Sequence, residues 1–173
     1  MDLRGHIREI PDFPKPGIGF KDITTLMADA GALDAAVTAL ADEVRGADVD
    51  MIVAAEARGF LLGPALAREL GAGFILARKP GKLPHDTVKA EYALEYGTDT
   101  LEVHSDALSA GARVVVHDDL LATGGTAKAV CELAERLGGE VVACLFLAEL
   151  AFLPGRERLA GYDVRSLVVY ESE

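Results

Sequence analysis

Val114-Val115-Val116-His117-Asp118-Asp119-Leu120-Leu121-Ala122-Thr123-Gly124-Gly125-Thr126-Ala127 is the stretch on which the reading of this chain turns. Three consecutive valines are its strongest buried-strand signal, because a strand covered on both faces shows no polar side. The run passes into two adjacent carboxylates, Asp118 and Asp119. A Thr-Gly-Gly-Thr loop follows, and then a helix expected over 127–137, closed by Gly138-Gly139. Glycine lets backbone approach a ligand closely. Unpaired N–H groups and the dipole at a helix N-terminus attract an anion, and the hydroxyls of Thr123 and Thr126 add donors. Ala122, Thr123, Gly124, Gly125 and Thr126 therefore read as a phosphate cradle, with Asp118 and Asp119 facing whatever the phosphate carries. Paired carboxylates near a phosphorylated sugar suit hydrogen bonds to ribose hydroxyls, directly or through Mg²⁺. An ordinary loop with a capping threonine accounts for ATGGTA alone equally well. The spacing is not that of a Walker A loop, whose lysine is missing.

Outward from this stretch the chain alternates. Leu33, Val37, Leu40 and Val44 follow helical spacing, with Asp34 near the helix start. Met51 to Ala55 is a short apolar run ending in the polar turn Glu56-Ala57-Arg58-Gly59. Residues 60–70 read as a helix capped by Gly71, and 74–76 as a buried strand. Arg78 to Lys89, RKPGKLPHDTVK, has two prolines, a glycine and four basic residues and reads as a long surface loop of the kind that forms lids. Residues 91–96 and 100–103 alternate like a hairpin or flap. Residues 141–147 and 167–169 are further buried strands. Apolar strands separated by helices predict an α/β fold, a mainly parallel central sheet with helices on both faces. In such sheets ligands bind beyond the carboxyl ends of the strands, where the glycine-rich and acidic turns fall.

The 173 residues fit one domain spanning 1–173, and half of them are hydrophobic. A formal net charge of −11 argues against nucleic acid or an anionic membrane as partner. Cys131 and Cys144 lie in apolar patterns with no metal or redox spacing and read as buried, reduced thiols. The first residues lack the apolar stretch of a signal peptide, and no apolar run approaches the ~20 residues needed to span a bilayer. A cytoplasmic protein is expected.

The full string from Val114 to Ala127 resembles the phosphoribosyl pyrophosphate signature of the type I phosphoribosyltransferases, and its Asp-Asp-Leu-Leu-Ala-Thr-Gly-Gly-Thr form resembles their adenine branch. The resemblance covers nearly the whole chain. Residues Phe13 to Ile23, FPKPGIGFKDI, are similar to the family's adenine-covering segment. Glu56-Ala57-Arg58-Gly59-Phe60 is similar to its pyrophosphate loop. Arg78-Lys79-Pro80-Gly81-Lys82-Leu83-Pro84 and Leu94-Glu95-Tyr96-Gly97 resemble the two ends of its flexible loop. Glu149-Leu150 and Gly155-Arg156-Glu157 match its C-terminal pattern.

The resemblance implies a base-covering segment at 1–30, a flexible catalytic loop at 78–97, and a homodimer that joins adenine to phosphoribosyl pyrophosphate, giving AMP and pyrophosphate. Mg²⁺ enters mainly on the substrate. Phosphoribosyl transfer places negative charge on the leaving pyrophosphate, so catalysis needs fixed cations and N–H donors there. Arg58, Arg78, Lys79 and Lys82 supply the cations. The resemblance also implies a strained or cis peptide at Glu56-Ala57 that turns backbone N–H groups, that of Ala57 included, toward pyrophosphate. Phe20 either stacks on adenine or fills the core, and main-chain groups of Ile18 and Gly19 face the purine's Watson–Crick edge. Glu95 is the candidate acid/base for a purine proton; the competing role is a polar residue on the outside of a hairpin. Tyr96 closes over the ligand with it.

His6, His85 and His104 read as surface residues. His117 stands where the family more often has an apolar residue, and Gly19 is smaller than usual there. A phosphoribosyltransferase for xanthine or hypoxanthine shares the phosphoribosyl half of this pattern. A non-catalytic regulator sensing phosphoribosyl pyrophosphate needs a basic DNA-binding domain, for which the chain has neither length nor charge.

Overall fold

The computed structural model describes residues 1–94 and 97–172. In chain order the elements are β1 (Arg8–Ile10), β2 (Phe20–Asp22), α1 (Thr24–Ala28), α2 (Ala30–Asp42), β3 (Met51–Ala55), α3 (Gly59–Leu70) and β4 (Gly73–Ala77). They continue with β5 (Thr87–Leu94), β6 (Gly97–His104), β7 (Arg113–Leu121), α4 (Gly125–Arg136), β8 (Glu140–Leu150), α5 (Gly155–Arg158) and β9 (Val164–Tyr170). A five-stranded sheet runs in the order β4-β3-β7-β8-β9, and every neighbouring pair is parallel. β1 and β2 form an antiparallel pair, as do β5 and β6.

The continuous apolar runs of the central strands follow from burial on both faces. Val115, Leu145 and Leu147 join Leu40, Leu62 and Leu66 in a core beneath α2 and α3. Val114, Val116, Cys144 and Phe146 point the other way, into a core with Val130 and Leu133 of α4. Each fully buried leucine contributes about 1.5–3 kcal/mol relative to an exposed one.

Several boundaries differ from the sequence reading for identifiable reasons. The α2 helix starts at Ala30, before Asp34, because the Asp29 carboxylate caps it by accepting a hydrogen bond from Ala32 N at 2.9 Å. β7 does not stop before the acids: Asp118 pairs with Phe146, Leu120 with Ala148 and Leu121 with Glu149. Parallel pairing with a long neighbour carries the strand through its polar residues. The segment expected as a surface loop from Arg78 to Lys89 is tied down at both ends. Arg78 makes an isolated antiparallel bridge to Glu102, and from Thr87 the chain is already β5. The short elements β1, β2, α1 and α5 escaped the sequence reading because three to five residues carry no legible period.

Candidate active site

The carboxyl ends of β3 and β7, neighbours in the sheet, place two loops side by side. After β7, Ala122, Thr123 and Gly124 lead into α4. Gly124 has φ +79° and is the N-cap of α4, and no side chain caps that end. The first-turn N–H groups of α4 thus have no side-chain cap among the described residues. Neither Thr123 nor Thr126 makes the capping hydrogen bond that the ordinary-loop alternative supposed. Asp118, Ala122, Thr123, Gly124, Gly125, Thr126 and Arg58 line a cavity of about 170 Å³ there, a volume on the scale of a phosphate group and its sugar.

The loop's shape depends on a second glycine. A Cβ on Gly124 would lie 2.8 Å from the carbonyl oxygen of Gly155, and one on Gly155 would lie 2.4 Å from that of Ala122. The two backbones therefore pack in direct contact. Arg156, next to Gly155, is anchored by two hydrogen bonds to the buried Glu149 carboxylate at 2.6 and 2.8 Å. The sequence reading matched these C-terminal residues to the family without giving them this bracing role.

The second loop begins with a cis peptide between Glu56 and Ala57. Ala57 is exposed, and Arg58 is the N-cap of α3. A Cβ on Gly59 would come within 3.2 Å of Asp118 Oδ1, so glycine is what lets α3 begin against β7. Arg58 Nε lies 3.2 Å from Asp119 Oδ2, close enough for ion pairing but not aimed as a hydrogen bond, and that buried oxygen has no hydrogen-bond donor among the described residues. The Arg58 guanidinium also sits 5.4 Å from the centre of the Phe20 ring, and Phe13 meets Phe20 edge-on at 5.1 Å. Phe20 thus sits beside Arg58 and belongs to neither core cluster.

Burial of the Asp118 carboxyl, reinforced by the charge of Asp119, raises its pKa well above the usual carboxylate range. Burial raises that of Asp119 too, with Arg58 opposing it. His117, one residue away, is buried; its Nδ1–H donates to Leu145 O at 3.0 Å, and Nε2 has no partner among the described residues. Burial lowers its pKa to about 4, so the ring is neutral at pH 7.

Arg78, Lys79 and Lys82 do not line the cavity at the start of α4. Arg78 Nε and Lys82 Nζ bind the two oxygens of Glu56 at 2.8 and 2.7 Å. Burial pushes the Glu56 carboxyl upward, but its hydrogen bonds to Lys82 and Arg78 outweigh this and hold it below its ordinary value. Lys79 is bound by Asp99 and Tyr92. Glu56 and Asp99 were absent from the sequence reading as partners; Glu56 stands inside a quoted motif, whereas nothing in the local pattern marks Asp99. Ile18 and Gly19 line a separate cavity of about 430 Å³ with Glu9, Asp12 and Lys21. Glu95 and Tyr96 lie outside the described residues.

The model of the phosphoribosyl transferase domain matches residues 26–167. The adenine phosphoribosyltransferase of Rubrobacter xylanophilus is 58% identical over 169 residues, 97% of this chain and 91% of that protein. The crystal structure of the adenine phosphoribosyltransferase of Thermoanaerobacter pseudethanolicus superposes with a TM-score of 0.95 at 55% identity, covering 98% of both chains. That of Saccharomyces cerevisiae, complexed with an imino-altritol bisphosphate and adenine, gives 0.91 at 38% identity, covering 95% of this chain and 96% of that one. A parallel sheet ending in paired acids and an uncapped glycine loop, together with likeness of this extent, makes the chain a member of the adenine phosphoribosyltransferase family.

Proposed function

We propose that this enzyme transfers the phosphoribosyl group of 5-phosphoribosyl 1-pyrophosphate to adenine, releasing AMP and pyrophosphate in purine salvage, as a cytoplasmic homodimer. The observation that carries the reading is the uncapped N-terminus of α4 beside Asp118. It offers N–H donors to a 5′-phosphate and a carboxylate to the ribose that bears it. Residues 1–173 act as one catalytic domain, with 1–30 covering the base and 78–97 closing over the site.

Ala122 to Thr126 bind the 5′-phosphate, and Asp118 and Asp119 take the ribose hydroxyls. The N–H of Ala57 and the cations of Arg58, Arg78, Lys79 and Lys82 stabilise charge on the departing pyrophosphate. Phe20 stacks on adenine while the main chain of Ile18 and Gly19 reads its edge. Glu95 exchanges the purine proton as the new N–C1 bond forms and the bond to pyrophosphate breaks.

The donor chemistry fits Mg²⁺: two adjacent carboxylates, one with a buried oxygen that accepts no hydrogen bond from the described residues. Asp118 and Asp119 would help hold Mg²⁺ brought in mainly with the substrate, and the ion would supply positive charge against that of pyrophosphate. A homodimer is supported by an apolar face on α3 and the edge strand β4, where Leu61 and Leu76 are exposed and Phe60 meets Phe74 at 6.0 Å.

A base panel tests the reading. With phosphoribosyl pyrophosphate and Mg²⁺, adenine is converted at least ~100-fold faster than hypoxanthine, guanine or xanthine, because a 6-oxo group presents the wrong hydrogen-bond polarity. Comparable turnover of hypoxanthine or xanthine overturns the adenine assignment.

A further inference from the structure

Each of the four cations assigned to pyrophosphate faces a carboxylate of the protein itself. Arg58 faces Asp119, Arg78 and Lys82 share Glu56, and Lys79 is bound to Asp99. The Lys79 site is the most distinct, because its anion comes from the hairpin and not from the strand-end loops. Asp99 on β6 pairs directly with Tyr92 on β5. The Tyr92 hydroxyl donates to Asp99 Oδ2 at 3.2 Å, and Lys79 Nζ contacts both that oxygen and, at 3.2 Å, the tyrosine oxygen. The ammonium also lies 5.7 Å from the centre of the Tyr92 ring. The backbone delivers Lys79 to this spot: Arg78 N–H donates to Glu102 O at 2.9 Å and Glu102 N–H to Arg78 O at 2.7 Å, three residues along β6 from Asp99.

The geometry points to Asp99 as a positioning residue that competes with pyrophosphate for Lys79: it holds the ammonium in the ligand-free enzyme and recaptures it when pyrophosphate leaves. An ammonium has three donors and one charge, and here Asp99 and Tyr92 engage two donors. To meet pyrophosphate, Lys79 must give up or share its contact with Asp99, so part of the attraction to the ligand is spent on breaking that pair. Asp99 therefore weakens pyrophosphate binding and speeds its release, while Tyr92 keeps the carboxylate aimed. Arg58, Arg78 and Lys82 do not depend on Asp99. This inference rests on the assignment of Lys79 to pyrophosphate.

The test is calorimetric titration of magnesium pyrophosphate, in the presence of AMP, into wild type, Asp99→Asn, Lys79→Ala and the double variant. The pair is about one-third exposed, a setting in which ion pairs contribute weakly. Asp99→Asn is expected to tighten pyrophosphate binding about two- to fivefold and to slow its release by a similar factor. Lys79→Ala weakens binding, and Asp99→Asn has no further effect in that background. Affinity for AMP, whose phosphate and base are assigned to other residues, stays at the wild-type value in both single variants and reports an intact fold. Tyr92→Phe shifts pyrophosphate affinity in the same direction by less. Unchanged or weaker pyrophosphate binding in Asp99→Asn overturns the inference, as does an equal effect in the Lys79→Ala background. Conversion of adenine to AMP by the same wild-type preparation separates these failures from failure of the functional reading.

Discussion

Gly124 and Gly155 are packed backbone to backbone: the Cβ that Gly124 lacks would stand 2.8 Å from the Gly155 carbonyl oxygen. The loop between β7 and α4 thus takes its shape from the start of α5, far downstream in the chain, held in place by the Arg156–Glu149 ion pair. At φ +79° Gly124 also occupies a region where a β-branched residue is strained by about 1–3 kcal/mol.

Gly124→Val should therefore weaken binding of both AMP and phosphoribosyl pyrophosphate at least ~10-fold, equivalent to about 1.4 kcal/mol, because the two share the 5′-phosphate. Calorimetry on the folded variant checks this, and unchanged AMP affinity would place the cradle elsewhere. Adenine alone should be affected much less.

Asp118→Asn should separate stability from function. Burial and the neighbouring charge of Asp119 disfavour the ionised Asp118, so at neutral pH its charge opposes folding. Removing it should raise the melting temperature of the ligand-free protein by about 2–4 °C, the response to roughly 1 kcal/mol in a domain of this size. The folded-state pKa lies above the unfolded value of 3.8, so the gain should vanish as pH falls below that value. The KM for phosphoribosyl pyrophosphate should rise about tenfold or more as a ribose contact is lost. A variant that is less stable at pH 7 with unchanged KM would contradict both halves.

His117 should make the protein acid-sensitive. Its pKa falls from 6.5 to about 4 on folding, so above pH 6.5 the ring is neutral in both states and contributes no pH dependence. As pH drops from 6.5 toward 4 the unfolded chain takes up a proton that the folded protein refuses, and stability is lost. Between pH 7.5 and 4.5 this amounts to about 2–3 kcal/mol. Urea unfolding of wild type and His117→Val at the two pH values should show that difference in their pH dependence; identical pH dependence would mean that folding leaves the affinity of the ring for a proton unchanged.

Glu95→Gln keeps the size of the side chain and removes its titrating proton. If Glu95 handles the purine proton, kcat should fall by roughly 100-fold or more with little change in the KM for phosphoribosyl pyrophosphate, the pattern of an interaction made mainly in the transition state. Quenched-flow measurement of AMP formation isolates the chemical step from loop opening or product release. Near-wild-type AMP formation on that timescale would exclude Glu95 from the chemistry.

The sequence by itself determined the parallel sheet and the strand, glycine turn and helix start proposed as the phosphate cradle, because their determinants are contiguous. Val114 to Val116, Asp118 and Gly124-Gly125 occupy one strand, turn and helix start, and apolar continuity reports burial on both faces wherever the neighbours lie. Burial of Cys131 and Cys144 was legible for the same reason. Tertiary structure alone decided which anion holds which cation. Lys79 meets Asp99 across twenty residues and Lys82 meets Glu56 across twenty-six, and a charged side chain looks alike in sequence whether it is solvated or paired. It also decided the surroundings of His117, whose partner, Leu145 O, lies on the next strand, and the contact of Gly155 with the cradle. Periodicity records which face of an element is buried; the pairing of polar groups is fixed only when the strands and loops that carry them are brought together.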